Sequence, residues 1–143
     1  MSTRKQLGEQ IALAMQEVIA SAVLTNERIA RSVGLNVVDF QTYGVLVRNH
    51  GPMTPGQLAQ VTELPSSTTT RVLDRLEGKG MIERTPDPDD RRKVWVQPVQ
   101  WYDKRVDDAY EKILAQMDDV HAGYTAADLQ TVLRYLNDVK NVR

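Results

Sequence analysis

Residues 54–97, TPGQLAQVTELPSSTTTRVLDRLEGKGMIERTPDPDDRRKVWVQ, decide how this chain folds. The stretch opens on a helix start: Thr54 as N-cap, Pro55 at the first helical position, and Gln57 where it reaches back to the cap in a capping box. A short helix follows through Leu58, Ala59 and Val61. Leu64-Pro65 begins a second helix, which runs to about Glu77 and is stopped by Gly78-Lys79-Gly80. Beyond it the period changes. Met81–Thr85 and Lys93–Gln97 are short strand candidates, with Val94 and Val96 on one face and Trp95 on the other. The polar segment Pro86-Asp87-Pro88-Asp89-Asp90-Arg91-Arg92 turns one strand into the next.

Working outward, Val38–Asn49 reads as a helix ended by His50-Gly51-Pro52. Residues 1–33 hold no proline and repeat Leu7, Ile11, Met15, Val18, Ala22, Ile29 and Val33 at spacings of three, four or seven, the pattern of a long amphipathic helix. Residues 101–143 return to that periodicity. Val106, Tyr110, Ile113, Met117 and Val120 form one stripe; Leu129, Val132, Leu133, Leu136 and Val139 form another. His121-Ala122-Gly123-Tyr124 separates them, and Thr125 starts the last helix as N-cap with Asp128 at the third helical position. Two helices joined by a short turn and followed by a hairpin describe a winged helix-turn-helix, mainly α with a small β-hairpin wing. The expected division is an N-terminal dimerisation helix (1–34), a winged helix-turn-helix DNA-binding domain (35–99) and C-terminal dimerisation helices (100–143). A helix over residues 1–33 spans roughly 50 Å, long for a small monomer, so the terminal stripes are expected to bury against a second copy.

The 143 residues are 41% hydrophobic and 26% charged, a globular composition that excludes wholesale disorder. No apolar run approaches the roughly 18 residues of a membrane span, so none is expected. The N-terminal ten residues are no signal-peptide core. Cysteine is absent, which excludes disulfides, thiolate–zinc sites and thiol redox sensing, and the cytoplasm is the expected location. With only His50 and His121, a multi-histidine metal site is not expected. Gly78-Lys79-Gly80 lacks the spacing of a phosphate loop, and no nucleophile has an orienting partner, so no catalytic residue, metal or cofactor is expected. Lys and Arg total 18 against 19 Asp and Glu, a net charge of −1. Bulk charge therefore gives no nucleic-acid signal, and any basic contact must be made locally.

The helix from Pro65 to Lys79 supplies such a locality. At about 100° per residue, Thr69, Val72, Leu73 and Leu76 share one face, which is the core face. The opposite side carries Ser67, Thr70, Arg71, Asp74, Arg75 and Gly78. Ser, Thr and Arg hydrogen-bond phosphates and base edges, and small hydroxyls let a helix sit deep in a major groove. The Ser66–Thr70 run lowers helix propensity, so something else favours it; an ordinary solvent face with a Ser/Thr-rich start is the plainer reading. The hairpin tip then gathers Arg91, Arg92 and Lys93, which suits a minor groove. Asp87, Asp89 and Asp90 beside them are turn formers, and they are also able to hold a guanidinium in a fixed fork.

Three motifs lie in register here. Leu76-Glu77-Gly78-Lys79-Gly80-Met81-Ile82-Glu83-Arg84 resembles the helix-to-wing junction of the MarR family of transcriptional regulators. Asp87-Pro88-Asp89-Asp90-Arg91-Arg92 resembles that family's wing, and Thr70-Arg71 fits its recognition helix. The resemblance implies a triangular homodimer on double-stranded DNA, its terminal helices interlocked and its half-site centres about 34 Å apart. Carried over by position, Ser66, Ser67, Thr68, Thr70, Arg71 and Arg75 would lie in or beside the major groove. Arg91, Arg92 and Lys93 would serve the minor groove, with Asp90 orienting Arg92. Many relatives are repressors released by small aromatic or phenolic effectors; the sequence does not name the ligand residues. Two departures stand out: Val96-Gln97-Pro98-Val99 replaces the usual Leu-Thr lead into the next helix, and Thr69 replaces a usual core aliphatic.

His50 and His121 sit where they would satisfy the last carbonyls of a helix, with ligand contact the alternative for His50. Trp95 and Trp101 flank the hairpin's exit, where packing against the next helix or walling a ligand pocket are the two readings. The functional expectation is a dimeric, sequence-specific regulator, with a winged-helix protein-interaction module as the alternative and no support for an enzyme.

Overall fold

A computed structural model describes residues 1–99 and 103–143, which divide into two compact units, Met1–Asp103 and Lys104–Arg143. In the first unit α1 (Arg4–Ser32) is followed by α2 (Val37–Arg48), α3 (Pro55–Thr62), α4 (Ser66–Gly78) and the antiparallel strands β1 (Ile82–Pro86) and β2 (Val94–Pro98). The second unit holds α5 (Lys104–His121) and α6 (Ala126–Val139). This is the mainly α winged helix-turn-helix predicted from the sequence. Trp101 lies outside the described residues.

Local chemistry sets the helix ends. Thr54 Oγ1 accepts the Gln57 N–H at 3.2 Å while the Gln57 side chain accepts the Thr54 N–H at 3.0 Å, the expected capping box. Thr125 and Asp128 repeat it for α6. Thr3 and Gln6 do so for α1. Apolar spacing alone starts that helix at residue 1; the cap moves its start to Arg4. Each cap is worth about 1 kcal/mol. The end of α2 is closed by the Asn49 N–H on Val45 and Leu46, leaving His50 exposed beyond it. The carbonyl-satisfying role expected of His50 thus falls to the Asn49 backbone.

The core of the first unit lies between α2, α3, α4 and the hairpin. Leu46, Leu58, Val72, Leu73, Leu76, Met81 and Val96 are each at most 1% exposed. Burying such a side chain stabilises by about 1.5–3 kcal/mol. Thr69 shares this core because its hydroxyl donates to the Pro65 carbonyl at 3.1 Å, so no polar atom is stranded. The strands pair Ile82 with Pro98 through Pro86 with Val94, one residue later than predicted. Both strands end on a proline, which a short edge ladder tolerates at its ends and which apolar alternation does not count. Met53 adds a third edge, exchanging backbone hydrogen bonds with Val96 at 2.9 and 2.7 Å.

The terminal helices carry their apolar residues outward. In α1 only Ile29 and Ala30 are buried, while Leu13, Val18 and Leu24 are each more than 60% exposed. Contrary to the expectation drawn from uninterrupted apolar runs, α1 contains an 18-residue window of mean hydropathy 1.3, enough by length and composition to cross a membrane. Gln16, Glu17 and Ser21 break the run without lowering its average far enough. In the second unit Leu114, Met117, Val120, Leu133 and Leu136 are exposed as well.

Candidate nucleic-acid interface

The start of α4 is chemically open. Pro65 occupies the N-cap and offers the first N–H groups of the helix no side-chain cap. Ser66, Ser67, Thr70 and Arg71 are exposed around that end and Thr68 is half-buried. The positive end of a helix, ringed by hydroxyls and a guanidinium, is chemically suited to an anion. The Thr70 hydroxyl donates to the Ser66 carbonyl at 3.0 Å, leaving its oxygen able to accept.

Arg75 is placed differently from its neighbours. Its Nε and one terminal nitrogen each donate to Asp39 of α2, both at 2.8 Å. Asp39 is buried and Arg75 half-exposed, and this hydrogen bonding raises the arginine pKa above its ordinary value. Arg75, expected beside the major groove, clamps α4 to α2 and keeps part of its side chain in solvent. Sequence reasoning missed Asp39, because a lone acid in a helix reads as solvated; its place between Val38 and Phe40 was the available signal.

The root of the wing is braced on the same helix. Arg84 of β1 donates to Asp74 at 2.6 Å and to both oxygens of Glu77 at 3.0 and 3.2 Å. These bonds raise the Arg84 pKa and lower that of Glu77. The single positive charge of Arg84 offsets one of the two negative charges that Asp74 and Glu77 place on the helix.

At the tip, Arg91, Arg92 and Lys93 are exposed, and Asp90 Oδ1 accepts the Arg92 N–H at 3.0 Å and its Nε at 3.3 Å. Asp87 does not take a guanidinium. Its Oδ1 accepts the N–H groups of Asp89 and Asp90, each at 2.9 Å, and its Oδ2 accepts the Trp95 indole N–H at 2.7 Å. The indole bond, then the two backbone bonds, hold its carboxyl below the ordinary 3.8. Trp95 is thus a partner of the turn, a link that spans eight residues and that no local motif announces.

An open groove of about 250 Å³ lies along α2, lined by Val37, Val38, Gln41, Thr42, Val45 and Leu64 among others. Among the described residues no cluster of three or more His, Asp or Glu could hold a metal ion.

Comparison with known proteins agrees with this geometry. Residues 45–94 match the family model described as MarR family. The HTH-type transcriptional regulator YcgE of Bacillus subtilis is 29% identical over 99% of this chain and 94% of its own length. Two solved structures share the fold: an E. coli MarR mutant complexed with operator DNA (TM-score 0.60, 21% identity, 96% of this chain and 99% of that one) and Streptococcus pneumoniae FabT in complex with DNA (0.67, 20%, 92% and 94%). From helix order to wing signature, this chain is similar to MarR-family regulators along its whole length, and its residues 45–94 match that family's model.

Proposed function

We propose that this chain is a homodimeric, sequence-specific DNA-binding transcriptional regulator acting in the cytoplasm as a ligand-responsive repressor. The observation that carries the reading is the uncapped, hydroxyl-rich start of α4 with Arg71, in one compact unit with a wing that offers Arg91, Arg92 and Lys93 to solvent. In this reading residues 65–78 enter the major groove of a pseudo-palindromic operator and residues 86–93 reach the minor groove. Phosphate contacts supply most of the affinity, so binding falls steeply with salt. The DNA complexes of MarR and FabT, which share the fold, support it.

The dimer is supported by the apolar side chains that α1 exposes in the first unit and α5 and α6 expose in the second, which suit burial against a second copy. The same pairing accounts for the apolar window of α1 without a membrane. The groove beside α2, walled mostly by apolar side chains, suits a small aromatic or phenolic effector.

Selection from a random-sequence DNA pool at about 0.1 M salt tests the function, with sedimentation to give the protein's mass. The expected result is an enriched palindrome whose half-site centres lie one helical turn, roughly 34 Å, apart. No enrichment by a folded dimer would overturn the reading in favour of a winged-helix protein-interaction module, which the net charge of −1 favours.

A further inference from the structure

The wing contains a chain of contacts that ends on an exposed cation, Arg92. The Trp95 indole N–H donates to Asp87 Oδ2; Asp87 Oδ1 gathers the Asp89 and Asp90 N–H groups; Asp90 Oδ1 accepts both the backbone N–H and the Nε of Arg92. The loop is closed from below by the Asp87 N–H on the Lys93 carbonyl and the Lys93 N–H on the Asp90 carbonyl, each at 3.0 Å. Each link has a separate job. The backbone bonds close a loop of this length without choosing where its tip points. The carboxylate of Asp87 ties two successive amides of the turn to a ring on β2, and β2 is fixed to the core through Val96.

We propose that Asp87 is the positioning residue of the wing, joining Trp95 to the turn that carries Asp90 and thereby setting the place from which Arg92 meets DNA. The proposal rests on the reading of the wing as a DNA contact. Its physical basis is loss of freedom. Arg92 is 91% exposed, and on an untethered turn it would have to be ordered at the moment of binding. A turn already held by Asp87 has lost much of that freedom in advance, which raises affinity without adding any interaction with DNA. The acid is suited to this task because its two oxygens act in different directions, one on the turn and one on the indole. Asparagine could still serve the amides through its oxygen but would turn an NH₂ toward the indole N–H, donor against donor.

The test uses the full chain and the operator duplex enriched by selection. Asp87→Ala, Asp87→Asn and Trp95→Phe are each compared with wild type, alone and combined with Arg92→Ala. In the free protein, the two indole N–H resonances report directly on the bond, with Trp95→Phe assigning them. Asp87→Ala is expected to shift the Trp95 resonance, speed its exchange with water and weaken operator binding by about tenfold. Trp95→Phe, which keeps a ring in the hairpin, is expected to lose less. In the Arg92→Ala background the Asp87→Ala loss should shrink to less than about twofold, because a residue acting through Arg92 has nothing left to position.

Losses that add fully with and without Arg92 would overturn the proposal, since that is how general destabilisation of the wing behaves. So would unchanged operator affinity in Asp87→Ala once its indole is released. A wild-type protein that binds no DNA while its Trp95 resonance is protected would instead bring down the DNA reading, and the proposal with it.

Discussion

The carboxylate of Asp39 and the guanidinium of Arg75 meet fork to fork, two bonds of 2.8 Å joining α2 to the helix that carries the proposed DNA contacts. The acid is buried and the base is not: their side chains are 2% and 44% exposed. The pair should therefore break unequally. Arg75→Ala leaves a buried carboxylate uncompensated and should cost about 3 kcal/mol, whereas Asp39→Asn releases a guanidinium that water can reach and should cost about 1 kcal/mol. Urea unfolding of both variants checks the order, and a larger loss in Asp39→Asn than in Arg75→Ala would refute it.

Arg92→Ala should leave the fold unchanged, because the side chain is exposed and its hydrogen-bond partner is its near neighbour Asp90. Operator affinity should fall, and the slope of log affinity against log salt should become shallower by about 0.9 for each phosphate that the protein no longer neutralises. A fluorescence titration across several salt concentrations measures both. An unchanged affinity and slope would remove the wing from the interface.

Arg71 is exposed in the first turns of α4, where a recognition helix reads base edges. Arg71→Ala should weaken binding to the selected operator more than to random duplex, by about 1–3 kcal/mol of discrimination if it pairs with a guanine. Equal weakening on both DNAs would make it a phosphate contact.

Stability should fall on acidification. The carboxyls of Glu77, Asp87 and Asp128 are all held below their ordinary values of 4.5, 3.8 and 3.8. A group whose folded pKa is depressed contributes fully above its unfolded value and loses that share as pH falls through the folded one. Thermal midpoints should therefore be flat, as far as these groups are concerned, down to about pH 5 and drop below it. Asp128→Asn should flatten the share due to the α6 cap; a midpoint that rises below pH 4.5 would contradict the assignment.

What could be read from the chain was whatever is local. Thr54-Pro55-Gly56-Gln57 announces its capping box in four letters, and Thr69, Val72, Leu73 and Leu76 declare the buried face of α4 by spacing alone. Contacts that join distant residues were not legible. Asp39 reaches Arg75 across 36 positions, and Trp95 reaches Asp87 across the hairpin. In both cases an acid that looks like a solvated charge or a turn former is held by a partner whose identity depends on the packing of other elements. Thr69 shows the reverse: its departure from an aliphatic is plain in the sequence, while the Pro65 carbonyl that makes it tolerable needs the fold.

The outward-facing apolar rows of α1, α5 and α6 have a consequence for how such a protein would be regulated. If those rows are covered only by a second copy, the DNA-competent species forms as the square of chain concentration, and its thermal midpoint rises with concentration. A cell would then tune repression by copy number before any effector arrives. Where most chains are still single, halving synthesis would cut the paired species by more than half, so the expression level of this chain would itself act as a signal.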